Sequence, residues 1–234
     1  NNFALGHTIY SDDGGDTWAV GSGAGFGGGA AGGSMGANED QLVQLTNGSL
    51  LINSRSLATG SPQQRVQARS DDGGETFTPS WIVPELPEPF NGCQGSIVTT
   101  GGTAGGNGTL FLSHPNPAVN SGVAPSILRL LGANVNLTGR DHLTLWSSSD
   151  EGDSYRVHTL VDKGASGYSS LQAYAADGTA AAPGPPGKPG LWLLYEQSDR
   201  AADTLSHMGA AALIGALSVL DPDRFVLRSF EGVE

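Results

Sequence analysis

Apolar and polar residues alternate along this chain in short runs, and helical spacing is nowhere sustained. The nearest approach to it is Met208 to Val219 (M-G-A-A-A-L-I-G-A-L-S-V), which fits a short helix or a buried strand and is too short to cross a bilayer. The alternating runs predict strands at 7–10, 17–20, 41–45, 49–53, 65–69, 76–83, 96–99, 109–113, 142–147, 155–161, 169–175 and 191–195. Thr46-Asn47-Gly48 supplies the N-G signal of a tight hairpin between the third and fourth of these. The Gly/Ala-rich stretch 21–36 has no periodicity and reads as a loop, and 101–108, 115–136 and the Pro-rich 182–190 read as turns or insertions.

Between strands one pattern recurs in register: S-D-D-G-G-D-T-W at Ser11 to Trp18, S-D-D-G-G-E-T-F at Ser70 to Phe77, and S-S-D-E-G-D-S-Y at Ser148 to Tyr155. Its Ser and Asp can bond nearby backbone N–H groups, its Gly can take φ > 0, and its aromatic is expected to start a strand and pack inward. Recurrence at this interval points to a repeated β-unit. Four strands lie between 41 and 83, with the repeat turn joining the third to the fourth, which is the layout of one propeller blade. The same count runs from 96 to 161, and a further blade opens at 169–175, with the remainder to Phe230 left to supply its outer strands. The reading is therefore an all-β propeller of which about three and a half blades are present. Closed rings use about four to eight blades, so 1–234 is expected to be the C-terminal part of a single, longer propeller domain.

Composition supports this class: 38% apolar residues with 36 Gly and 13 Pro suit many short strands joined by many turns. A formal net charge of −12 argues against nucleic acid as a partner, so any anionic ligand must be held by a few placed cations. Cys93 is the sole cysteine and cannot form an internal disulfide; in G-C-Q-G-S it reads as a buried small side chain. The five histidines show no ligand spacing, so neither a metal site nor a cofactor is expected. Sequons at Asn47, Asn107 and Asn136 point to the secretory pathway. The chain opens on Asn1 with neither an initiator Met nor a signal peptide, and is expected to be processed or a fragment.

In a four-stranded antiparallel blade, the start of strand 1, the end of strand 2 and the start of strand 3 share one mouth, and the turn from strand 3 to strand 4 lies at the opposite end. The acidic repeat turns are thereby structural by position. Glu39, Asn91 and Tyr168 each precede a first strand, Arg55 and Glu196 each follow a second, and Arg140 precedes a third. Arg presents a fork suited to a carboxylate, and a Glu beside a Tyr can take the phenolic proton and make the oxygen a nucleophile.

The repeat is similar to the Asp box of sialidases. The segments N-E-D-Q-L-V-Q-L-T-N-G-S-L-L-I-N-S-R-S (38–56), R-V-Q-A-R-S-D-D-G (65–73), G-C-Q-G-S-I-V (92–98), R-D-H-L-T-L-W (140–146), S-G-Y-S-S-L (166–171) and L-W-L-L-Y-E (191–196) resemble the animal exo-α-sialidases. S-G-Y-S-S-L and L-L-Y-E look most like the lysosomal branch, and G-C-Q-G-S more like the cytosolic and membrane-associated ones. The resemblance implies a six-bladed propeller acting on sialylated glycans without a cofactor. It implies Tyr168 as nucleophile, Glu39 as its general base, and Arg55 and Arg140 as two of three arginines gripping the sialic acid carboxylate, with Asn91 as a contact to the sugar; Glu196, by its place on the mouth, is a candidate substrate contact or the partner of a nearby cation. It also implies a carboxypeptidase-type protective partner for the lysosomal branch. The family's first arginine and its Asp acid have no counterpart in this sequence, so the chain alone is expected to be inactive. The competing class is a non-catalytic Asp-box propeller that binds glycans or proteins.

Overall fold

The computed structural model describes residues 8–21, 37–56, 64–89, 92–100, 108–117, 140–174, 190–198 and 224–231. Strands β1 (Ile9–Tyr10) and β2 (Ala19–Val20) pair around the first repeat turn. β3 (Ala37–Gln44), β4 (Leu50–Ser56), β5 (Gln64–Ser70) and β6 (Trp81–Pro87) form one antiparallel sheet in chain order, as expected for a blade. β7 (Ser96–Thr100), β8 (Thr109–Pro115), β9 (Asp141–Ser148), β10 (Arg156–Tyr174), β11 (Gly190–Ser198) and β12 (Arg224–Glu231) form a second sheet, also in chain order. No helix among the described residues is long and apolar enough to cross a membrane. The expectations for 101–107, 118–136, 182–189 and 208–219 lie outside the described residues.

Two strand expectations need correction. The strand expected at 76–83 is β6 and begins at Trp81, because Thr78 N donates to Arg69 O at 2.8 Å to close the repeat turn and Pro79 has no N–H to give a ladder. The strands expected at 155–161 and 169–175 are one strand, the 19-residue β10. Its first part, Arg156 to Ala165, pairs with β9, and its second, Ala165 to Tyr174, pairs with β11. The polar, Gly-containing stretch between them, outside both expected strands, is held in the strand by Asp162. That carboxylate accepts Gly164 N at 2.8 Å and Tyr195 Oη at 2.8 Å, and also accepts from Gln197 Nε2. The second part of β10 lies against β7, where Ser96 Oγ accepts Leu171 N at 3.0 Å. The second sheet is thus one blade, β7 to β10, running directly into the next.

Burial follows from this stacking. Leu51, Val43, Leu45, Val83 and Leu86 of the first sheet and its turns meet Ile97, Leu110, Leu112, Trp146 and Tyr155 of the second in one apolar layer. Phe111, Leu143 and Leu145 on the far side of β8 and β9 pack on Leu171, Leu191, Leu193 and Tyr195. Alternate residues of β8 therefore serve different layers, which is why both faces of the strand are apolar.

The three repeat turns share one hydrogen-bond network. In the second, Ser70 Oγ donates to Asp72 Oδ1 at 2.8 Å and accepts Gly74 N at 2.9 Å, while Asp72 accepts Thr76 N at 2.9 Å and also Thr76 Oγ1. Ser11, Asp13, Gly15 and Thr17 repeat it, as do Ser148, Asp150, Gly152 and Ser154. The closing aromatic packs inward at Tyr155 but not at Trp18, which is 62% exposed because no described sheet covers the β1–β2 pair. The second and third turns lie at the end of the strands opposite Glu39, Arg55 and Arg140, as their spacing required.

Candidate active site

Two bulges bring the central pair together. Along β3 the partners run Asn38↔Arg55 and then Gln41↔Asn53, so β3 holds one residue more than β4 and Glu39 falls in the irregularity, with φ +48°. Along β10 they run Ser166↔Gln197 and then Ser169↔Tyr195, which leaves Tyr168 in a second bulge. Freed from the ladder, the Tyr168 amide donates to Glu196 Oε2 at 3.0 Å. Bulges re-aim side chains, and these two aim Glu39 and Tyr168 at each other across 129 residues of sequence.

The Tyr168 phenol donates to Glu39 Oε1. Arg55 Nη1 donates to Glu39 Oε2 at 2.7 Å and to the phenol oxygen at 3.3 Å. Arg55 is 1% exposed and Glu39 28%, so the cation is supplied from beneath while the carboxylate opens on the mouth. Arg140, just ahead of β9, places its guanidinium carbon 5.9 Å from the centre of the Tyr168 ring. Its backbone carbonyl accepts Ser166 N at 3.0 Å, beside the bulge.

Burial pushes the Tyr168 phenol up to about 12, the hydrogen bond and charge of Glu39 push the same way, and Arg55 and Arg140 oppose them. The phenol is therefore neutral at rest and already aimed at a proton acceptor. Burial is the largest influence on Arg55 and disfavours its charge, but the hydrogen bond and charge of Glu39, joined by Tyr168 and Cys93, together outweigh it and hold the guanidinium above its ordinary value. The arrangement can release a proton from phenol to carboxylate beside two cations that would attract an anion.

The structure thus brings together Glu39, Arg55, Arg140 and Tyr168, with Glu196 supporting the Tyr168 backbone. Asn91 lies outside the described residues, as do Asn107 and Asn136. Asn47 is exposed in the hairpin turn, its Oδ1 accepting Ser49 N at 2.9 Å. Cys93 is fully buried, and burial pushes its thiol up to about 12, which removes it as a nucleophile. Sequence reasoning did not single out Arg65 and Glu88, both buried beneath Arg55 and ion-paired at 3.1 Å. The available signal was R-V-Q-A-R, in which Arg65, Gln67 and Arg69 share one face of an interior strand; in stacked sheets such a polar face points into an interface.

A family model described as a BNR repeat-like domain matches residues 4–179. The sialidase of Micromonospora viridifaciens is 30% identical over 172 residues, which are 74% of this chain and 22% of that protein. Sialidase-2 of Rattus norvegicus is 28% identical over 198 residues, 82% of this chain and 42% of that protein. The chain therefore spans less than half the length of these relatives. Among solved structures, a leech intramolecular trans-sialidase complexed with 2,7-anhydro-Neu5Ac superposes with a TM-score of 0.55 at 21% identity, covering 95% of this chain and 26% of that one, which shows a shared fold.

Proposed function

The chain belongs to the BNR repeat-like family with sialidases as its relatives, and on that premise we propose that it carries the nucleophilic half of an exo-α-sialidase. The observation that carries the reading is the Tyr168 phenol held on Glu39 with Arg55 bonded to both. Arg55 and Arg140 bind the carboxylate of a terminal sialic acid on a glycoprotein, glycolipid or oligosaccharide. As the Tyr168 oxygen bonds to the anomeric carbon, its proton passes to Glu39, and the glycosidic C–O bond breaks. Water then displaces the tyrosine, so the product retains its configuration. A neutral phenol suits this substrate, because a carboxylate nucleophile would be repelled by the sugar's own carboxylate.

The leaving oxygen needs a proton, and the acid that gives it, with a third arginine, belongs to a part of the propeller outside residues 1–234. The exposed Asn47 sequon supports passage through the secretory pathway, with the lysosome as destination. The test is Tyr168→Phe in the full-length protein, assayed on a fluorogenic sialoside and by calorimetry with free sialic acid. Turnover should vanish while binding persists; turnover at the wild-type rate would overturn the assignment.

A further inference from the structure

Beneath Arg55 lies an ion pair that the proposed chemistry does not use. Glu88 spends both carboxylate oxygens on backbone next to the site arginines. Oε1 accepts the N–H of Ser56, the amide directly after Arg55, at 3.2 Å, and Oε2 accepts the N–H of Cys93 at 3.0 Å. The Cys93 N–H and the Gly92 carbonyl belong to one planar peptide unit, and that carbonyl accepts Arg140 Nη2 at 3.0 Å. A single rigid peptide thus stands between the buried carboxylate and the Arg140 guanidinium. The same glycine touches the other arginine: Gly92 has φ +68°, and a Cβ there would lie 2.7 Å from Arg55 Cγ and 2.6 Å from Ser56 O. Arg65 closes the frame, donating through Nη1 to Glu88 at 3.1 Å and to Cys93 O at 2.8 Å, and through Nε to Asn53 Oδ1 of β4 at 2.5 Å.

We propose that Glu88 and Arg65 form a positioning pair that sets the separation of Arg55 and Arg140, and hence the grip on the substrate carboxylate. The inference rests on the sialidase reading of the site. A buried ion pair is a poor source of stability, since apolar side chains of similar volume serve as well or better. What this one supplies is direction: each polar contact of the Glu88 carboxylate reaches Arg65 or a backbone amide adjoining the clamp.

The experiment uses the full-length protein with two variants. Arg65→Met/Glu88→Leu removes both charges together and leaves neither stranded; Glu88→Asp keeps the charge and shortens the side chain by one methylene. Thermal midpoint, KM and kcat on a fluorogenic sialoside, and crystal structures of both variants are read. A clamp that holds ground state and transition state alike should show itself in KM. The expected result is a folded double variant whose KM rises about 10- to 100-fold while kcat changes little, with a smaller rise in Glu88→Asp. In its crystal structure the Arg140–Gly92 hydrogen bond should be broken. A variant of wild-type thermal midpoint with KM and the Arg140 position unchanged overturns the proposal. If the wild-type protein turns over no sialoside, the functional reading falls instead, and the Arg140 position in the variant structures still decides the positioning role.

Discussion

Tyr168 and Glu39 meet because each occupies a bulge, and Glu39 does so in a left-handed backbone conformation that costs a non-glycine residue about 1–2 kcal/mol. Its hydrogen bonds to Arg55 and Tyr168 offset that strain. Glu39→Gln in the full-length protein keeps the shape but removes the proton acceptor. Steady-state kinetics should then show kcat lower by about 10²- to 10⁴-fold with a much smaller change in KM. An unchanged kcat would remove Glu39 from the proton transfer. Glu39 and Arg55 could be grouped from the sequence because each stands near a strand end on one edge, whereas Tyr168 joined them through an expected strand start that is a bulge inside β10. Arg65 and Glu88 were not legible, since R-V-Q-A-R alternates just as a half-solvated strand does. Only the second sheet, laid over the face carrying Arg65 and Gln67, turns those polar positions into interior ones.

At the scale of the element, the repeat turn is a fastening whose strength depends on ionised aspartate. The side-chain hydrogen bond from Thr76 is the largest of several that hold the Asp72 carboxyl at about 2, below its ordinary 3.8. As pH falls, the unfolded chain takes up this proton first. The stabilisation is complete above about pH 4 and disappears as pH falls toward about 2. Urea midpoints of wild type and Asp72→Asn between pH 6 and 2 should therefore converge toward the acid end; a constant gap would show that the ionised form contributes nothing. The third turn departs from the others, carrying Glu151 at φ +61° where the second has a glycine at φ +76°. It gains a latch in exchange: Arg69 Nη2 donates to Glu151 O at 2.8 Å and to Asp153 Oδ1 at 3.1 Å, and Thr46 Oγ1 donates to Glu151 Oε1. The turn's own bonds could be read from its letters. The latch to the neighbouring sheet could not, because it depends on how two blades stack.

Over the whole molecule, the chain spans 22% and 42% of two sialidases it is similar to, and on the proposed reading it holds the nucleophile, its base and two arginines without the acid that the resemblance implies. The isolated 234-residue chain should therefore cleave a fluorogenic sialoside at least about 10²-fold more slowly than the full-length protein, the usual contribution of a general acid. A rate equal to that of the full-length protein would show that the acid lies within it. The four-stranded units β3–β6 and β7–β10 were legible because an Asp box closes the third strand of each, and hairpin signals mark the strands between. The join between blades reads as a break between the strands expected at 155–161 and 169–175, since the polar stretch with Asp162 and Gly164 shows no strand pattern until Tyr195 and Gln197 are found bonded to that carboxylate. β10 makes that join continuous, and Ala165 is shared by the ladders on both sides. The border within β10 is consequently not a seam, unlike the one between β6 and β7, where two separate sheets meet. A chimera, split or circular permutation cut between 161 and 169 would divide two ladders at once, whereas one cut in the turn at 46–49 would leave every strand whole. Across β10 the unit that can be exchanged is therefore the pair of blades that share it, and a single blade there is only a unit of repetition.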